Sequence, residues 1–247
     1  MTTLDTSPPT PRLAEALALL HQHARPGELA GMARFGITGE GRLGVSIPML
    51  RQMARTLGAD HALALALWDT GVPDARILAS IVAQPAQLTS QQMDTWVQGF
   101  ASWDVCDQVC GNAFCASPLA WCKVEEWAQR PEEFVRRAAF ALLATLVVHD
   151  KRTPDARFIN ALRWVEAASY DDRNFVKKAV NWALRNIGKR NATLHAEAIA
   201  AAERIQQQGS KSARWIAADA LGELQSTAVQ TRIQSRHAKK MGANSLN

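Results

Sequence analysis

No stretch of apolar residues in this sequence approaches the roughly 20 that a membrane-spanning helix requires. The opening Met-Thr-Thr-Leu-Asp-Thr-Ser-Pro-Pro-Thr-Pro-Arg has no basic segment followed by an apolar one, so no secretory leader is read there and the expected location is the cytoplasm. Cysteine is scarce and confined: Cys106, Cys110, Cys115 and Cys122 crowd into one segment and lack the paired C-x2-C spacing of zinc sites. No metal and no cofactor is therefore expected. Cys106 and Cys110 are four residues apart, on one helical face, and read as small core hydrophobes. Alternation of β-branched residues is also missing, which excludes a sheet-based fold.

What is present is helical. Apolar positions recur at three and four through Leu13–His23, Pro48–Leu57, His61–Thr70, Asp74–Ala83 and Ser90–Phe100, with Gly, Pro, Asp or Ser between them. With 247 residues and 47% apolar content, the chain can bury a substantial core as one large domain or repeat array. A weak repeat favours the array. Phe134-Val-Arg-Arg-Ala-Ala-Phe-Ala-Leu-Leu returns 41 residues later as Phe175-Val-Lys-Lys-Ala-Val-Asn-Trp-Ala-Leu, and Ala213-Arg-Trp-Ile-Ala-Ala-Asp-Ala-Leu follows about one period on. Periods of roughly 40 residues in helical chains mark HEAT-like or armadillo-like pairs. The predicted fold is all-α, a right-handed solenoid of HEAT-like antiparallel helix pairs forming a single concave domain over 13–225. Residues 1–12 and the basic segment 226–247 are predicted to be disordered tails.

Charge is unevenly distributed. Residues 1–129 carry 8 Lys and Arg against 12 Asp and Glu, a net of −4, whereas residues 130–247 carry 20 against 11, a net of +9. A basic half suits a polyanion, since phosphate neutralisation and counterion release supply most non-specific nucleic-acid affinity. The repeat places Arg136, Arg137, Lys177, Lys178 and Arg214 at the starts of successive helices, an arrangement suited to a phosphate backbone. In the segment Ala101–Phe114, Trp103 and Asp107 are four apart and share a helical face, with Asp104 about 100° round from Trp103. Aspartates among tryptophan, valine and cysteine are costly unless they face water or a ligand.

Four segments, S-W-D-V-C-D at 102–107, R-R-A-A at 136–139, F-V-K-K-A-V-N-W-A-L-R at 175–185 and G-V-S-I-P-M-L-R at 44–51, resemble the AlkD-type DNA alkylation repair glycosylases, which are HEAT-like repeat proteins. The resemblance covers roughly residues 30–224. It implies that Asp107 is the catalytic carboxylate, that Trp103 and Trp182 are indoles flanking the reacting deoxyribose, and that Arg137 and Arg185 contact the DNA backbone. This chain departs from the usual pattern in having Ser102 where tandem tryptophans are frequent, and Ser46 where a glutamine is frequent.

The chemistry accounts for the carboxylate. A purine alkylated at N3 or N7 is cationic and a good leaving group, so the remaining demand is stabilisation of an oxocarbenium-like sugar, which a fixed carboxylate meets. The resemblance implies action on the sugar without flipping the base into a pocket, on double-stranded DNA containing alkylated purines; the internal period predicts a monomer, expected to be nucleoid-associated when bound to DNA. Two other classes stay open at this level: a non-catalytic HEAT-like protein binding bent or damaged DNA through its backbone, and a scaffold for protein partners.

Overall fold

Helix starts are written into the sequence as caps. In the computed structural model, which describes residues 10–244 and the side chains of residues 10–235, Thr10 Oγ1 accepts from Leu13 N at 3.3 Å ahead of Pro11 in the first turn. Asp60, Asn191 and Ser210 cap in the same way, and Thr89 with Gln92 forms a reciprocal capping box. The described residues form fourteen α-helices and no strand. None of these helices is long and apolar enough to cross a membrane.

The chain divides into two compact units, 1–118 and 119–247, where the repeat pattern predicts a single domain. Helices in a repeat array touch only near neighbours, so such an array separates readily into blocks. The first unit holds α1 (Pro11–Gln22), α2 (Leu29–Arg34), α3 (Ile47–Leu57), α4 (His61–Asp69), α5 (Pro73–Val82), α6 (Ser90–Gln98) and α7 (Trp103–Asn112). Its core is aromatic: Trp68 stacks on Trp96 at 4.6 Å, Phe100 meets Trp68 edge-on, and Phe114 packs against both Trp96 and Phe100. The Arg76 guanidinium lies 4.8 Å from the centre of the Trp68 ring and donates to Gly99 O at 2.8 Å, closing one side of this stack.

The second unit holds α8 (Ala120–Ala128), α9 (Glu133–His149), α10 (Asp155–Ala168), α11 (Asn174–Gly188), α12 (Ala192–Gln206), α13 (Lys211–Leu224) and α14 (Thr227–Asn244). Successive hairpins α8–α9, α10–α11 and α12–α13 stack so that α9, α11 and α13 neighbour one another in one layer and α10, α12 and α14 in the other. This is the HEAT-like pairing that the period of about 40 residues predicts. Small residues permit the stacking. Ala138, Ala139, Ala141 and Ala144 of α9 are wholly buried, and a Cβ added at Gly188 would come within 2.6 Å of Leu224 Cδ2 and 3.0 Å of Ala198 Cβ.

Both tails differ from the prediction. Helix α1 begins at Pro11, inside the predicted N-terminal tail, because Thr10 and Pro11 together start it; residues 1–9 lie outside the described residues. At the other end α14 runs through most of the segment predicted to be disordered. Val229 and Ile233, one turn apart, bury themselves where α14 packs on α12 and α13. Two apolar residues are too thin a stripe to read from periodicity alone. The side chains of Arg236, Lys239 and Lys240 lie outside the described residues.

Candidate functional site

The first turn of α7 is fixed by a loop far away in sequence. Residues 36–46 contain Gly36, Gly39, Gly41 and Gly44, all at positive φ. At Gly44 any other residue is excluded twice over, since φ is 76° and a Cβ would approach Arg25 O to 2.8 Å. The loop is then clamped from below: Asp74, buried in the first turn of α5, accepts from Leu43 N and from Val45 N at 2.8 Å each.

Held in this way, the loop delivers Arg42 to α7. Its guanidinium donates bidentately to Asp104, at 2.9 and 3.1 Å, and to Thr38 O at 3.0 and 3.2 Å. The Arg42 side chain is only 4% exposed and that of Asp104 13%, so this is a pair largely removed from water. Ser102, the N-cap residue of α7, adds its hydroxyl to the same Asp104 carboxylate. Trp103 is tied separately, its indole N–H donating to Phe35 O at 2.8 Å.

Asp104 is turned toward an arginine, and Asp107 lies one turn on; both line a cleft of about 420 Å³ that also takes in Trp103, the charged Arg25, Glu28 and Arg42, the polar Ser46 and Gln108, and the apolar Met32, Ile37, Val45, Ile47 and Ile77. Both Trp103 and Asp107 are partly exposed. Val105, Cys106, Val109 and Cys110 of α7 are buried in the core, the place predicted for the two cysteines. Among the described residues no group of three His, Cys, Asp or Glu is arranged to hold a metal ion.

The remaining predicted site residues are in the second unit, on α9, α11 and α13. Positions on a helix advance by about 100° per residue, which puts Lys178, Trp182 and Arg185 of α11 on one stripe, opposite the buried Val176, Ala179, Val180, Ala183, Leu184 and Ile187. Lys178 is exposed and Trp182 partly so. Arg185 is committed to carboxylates, lying 2.7 Å from Glu223 and 3.3 Å from Asp219 of α13. Lys189 shares Glu223 at 2.7 Å, and this pair of cations holds the Glu223 carboxyl below its ordinary value although burial pushes the other way.

The arginine pair of α9 is more enclosed than its place at a helix start suggests. Arg137 is 5% exposed and donates to Phe175 O at 2.7 Å, joining α9 to α11. Arg136 pairs with Asp171 at 3.0 Å, and Asp171 also binds Arg173. Lys177 lies 5.0 Å from the centre of the Trp215 ring, and Arg214 is exposed. Of the nine predicted site residues, Trp103 and Asp107 share the cleft, and Lys178 and Trp182 present themselves together on α11.

Sequence reading did not find Arg42, Asp74 or Trp215. The glycine cluster at 36–44 is the available signal for a tightly held loop, but nothing local couples Arg42 to an aspartate 62 residues away.

The comparisons come from sequence and from fold. A family model described as DNA alkylation repair enzyme matches residues 16–224. No curated protein matches the chain. Among solved structures, one described as representing a new family of proteins related to the HEAT-like repeat DNA glycosylases, with affinity for branched DNA structures, is 19% identical and aligns with a TM-score of 0.71 over 78% of this chain and 82% of its own.

Proposed function

Since this chain belongs to the DNA alkylation repair enzyme family, we propose that it is a glycosylase that excises cationic N3- and N7-alkylated purines from duplex DNA, with Asp107 stabilising the oxocarbenium-like sugar. The single observation that carries this reading is the division of labour on α7. Arg42 and Ser102 engage Asp104, while Asp107 stands one turn on in the same cleft, beside a tethered indole and the apolar Ile37, Ile47 and Ile77. A carboxylate placed against apolar walls attracts a developing cation more strongly than one in bulk water.

The alkylated base leaves with the bonding electron pair and thereby loses its positive charge, so no general acid is called for. The sugar becomes cationic at C1′, Asp107 stabilises it, and a water oriented by the same carboxylate adds there through its oxygen and gives up a proton, by way of Asp107, to the solvent. Trp103, with its N–H edge fixed on Phe35 O, offers a π surface to that charge, an attraction of roughly 0.5–2 kcal/mol. In the second unit, Lys178 and Trp182 on the exposed stripe of α11, with Arg214 and Lys177, are assigned to DNA contact, while Arg136, Arg137 and Arg185, held by Asp171, the Phe175 carbonyl and Glu223, fix the helices that carry them. The protein acts as a monomer, without metal or cofactor.

A second reading is a non-catalytic protein that binds distorted DNA. The affinity for branched DNA named for the solved relative favours it. Incubation with duplex DNA carrying N7-methylguanine, followed by chromatography of released base, decides between the two. Asp107→Asn preserves shape and removes charge, so excision should fall by about 10²-fold or more while DNA affinity holds or rises. Excision at the wild-type rate by Asp107→Asn overturns the mechanism, and absence of release by the wild type leaves the binder.

A further inference from the structure

Four of the eight tryptophans, Trp68, Trp96, Trp121 and Trp127, are buried in the core. Trp215 is the opposite case, 39% exposed near the start of α13. Its neighbour across the helix layer is the Lys177 ammonium, 5.0 Å from the ring centre. On the other flank of α11, Phe175 stacks on Phe134 of α9 with centroids 5.4 Å apart, and both rings are partly exposed. Helical geometry places Phe175 and Lys177 about 200° apart, so they border the outward stripe of α11 from its two sides, with Lys178 on the stripe between them. Aromatic rings from three successive helices thus come to the surface at one level, interspersed with cations.

Lys178 and Arg214 are exposed, and with Lys177 they outnumber the carboxylates Glu133 and Asp172 of the same surface. Asp171 is taken up by Arg136 and Arg173, and Asp172 accepts from the Ser212 backbone N–H. Aromatic faces set among phosphate-binding cations are the means by which proteins hold single-stranded nucleic acid, since every base has a π face but a duplex hides it within the stack.

We propose that the N-terminal ends of α9, α11 and α13 form a stacking platform for unpaired nucleobases, with Trp215, Phe175 and Phe134 as the aromatic surfaces and Lys177, Lys178 and Arg214 as phosphate contacts. This rests on the reading that the protein binds DNA and adds to it a preference for strands with unpaired bases. The platform contains no member of the cleft on α7, so it serves binding and not bond cleavage.

The test compares fluorescence anisotropy of the full chain on three labelled oligonucleotides: an unmodified duplex, a fork with unpaired arms, and the single strand alone. The wild type binds the fork more tightly than the duplex. Trp215→Ala weakens fork and single-strand binding by roughly 5- to 100-fold while duplex affinity stays within about twofold, and Trp215→Phe restores most of the loss. Phe175→Leu, which keeps bulk and removes the π face, acts in the same direction, and melting followed by circular dichroism shows that both variants are folded. Equal wild-type affinity for fork and duplex overturns the platform alone, as does an equal loss on both substrates in Trp215→Ala. Failure of the wild type to bind any of the three overturns the DNA reading and the platform together.

Discussion

Replacing Arg42 with alanine should destabilise the protein far more than replacing any exposed arginine, because it leaves the Asp104 carboxylate enclosed with only the Ser102 hydroxyl in place of a bidentate guanidinium. Both partners are largely out of water, at 4% and 13% side-chain exposure, so the screening that reduces surface pairs to near zero does not apply. Removing one member of such a pair costs about 3–5 kcal/mol. For a chain of this size each kcal/mol lowers the melting temperature by about 2–4 °C, which gives an expected fall of about 6–20 °C. Asp104→Asn keeps an acceptor but removes the charge, and should fall in the same direction by less. The double variant Arg42→Met with Asp104→Leu removes both charges and should recover much of the loss, since a buried pair is often replaceable by apolar residues of similar volume. Thermal melts by circular dichroism on the four proteins decide the matter. Asp107→Asn is the control, and its melting temperature should shift by less than that of Asp104→Asn. If Arg42→Ala melts within about 2 °C of the wild type, the pair does not hold the loop, and the account of how α7 is positioned fails.

The other expectations concern the second unit. Lys178→Ala removes an exposed cation from the outward stripe of α11, so duplex affinity should drop similarly on all sequences and the slope of log K against log salt should become shallower by about 0.9; an unchanged slope places Lys178 outside the DNA interface. Asp150 ends α9, and burial pushes its carboxyl up, but donors from Thr153, Trp121 and Arg152 outweigh this and lower it from 3.8 to about 2. A carboxyl depressed in the folded state contributes stability above its unfolded value and loses it as pH falls through the folded one. Urea unfolding should therefore show stability declining between about pH 4 and pH 2, and Asp150→Asn should flatten that part of the curve; an unaltered acid limb would exclude Asp150 as its source.

Some of this protein was fully legible one residue at a time. Helical periodicity, caps such as Thr89 with Gln92, and the spacings that pair Trp103 with Asp107 and Cys106 with Cys110 along α7 are consequences of about 100° per residue and of local hydrogen bonding. They require no knowledge of what lies opposite. The repeat that aligns Phe134 with Phe175 also appears in the fold as the stacking of α9 on α11.

Direction alone, however, does not name a partner. Asp104 and Asp107 are chemically identical and three residues apart, and only the return of the 36–46 loop, anchored by Asp74 and by the conformation open to Gly44, gives Asp104 its arginine and supplies a wall of the cleft that both aspartates line. The same holds for the basic residues. In sequence Arg136, Arg137, Lys178 and Arg185 are equivalent positive charges. In the folded unit Asp171, the Phe175 carbonyl and the Asp219–Glu223 pair take up Arg136, Arg137 and Arg185, and Lys178 stays exposed. Helix α14 owes its form to two buried residues that find a surface on α12 and α13. Local sequence fixes which way a side chain leaves its helix; what it meets there is decided by which other helix packs against that face, because an ion pair or a buried contact forms only between groups that folding brings within a few ångströms.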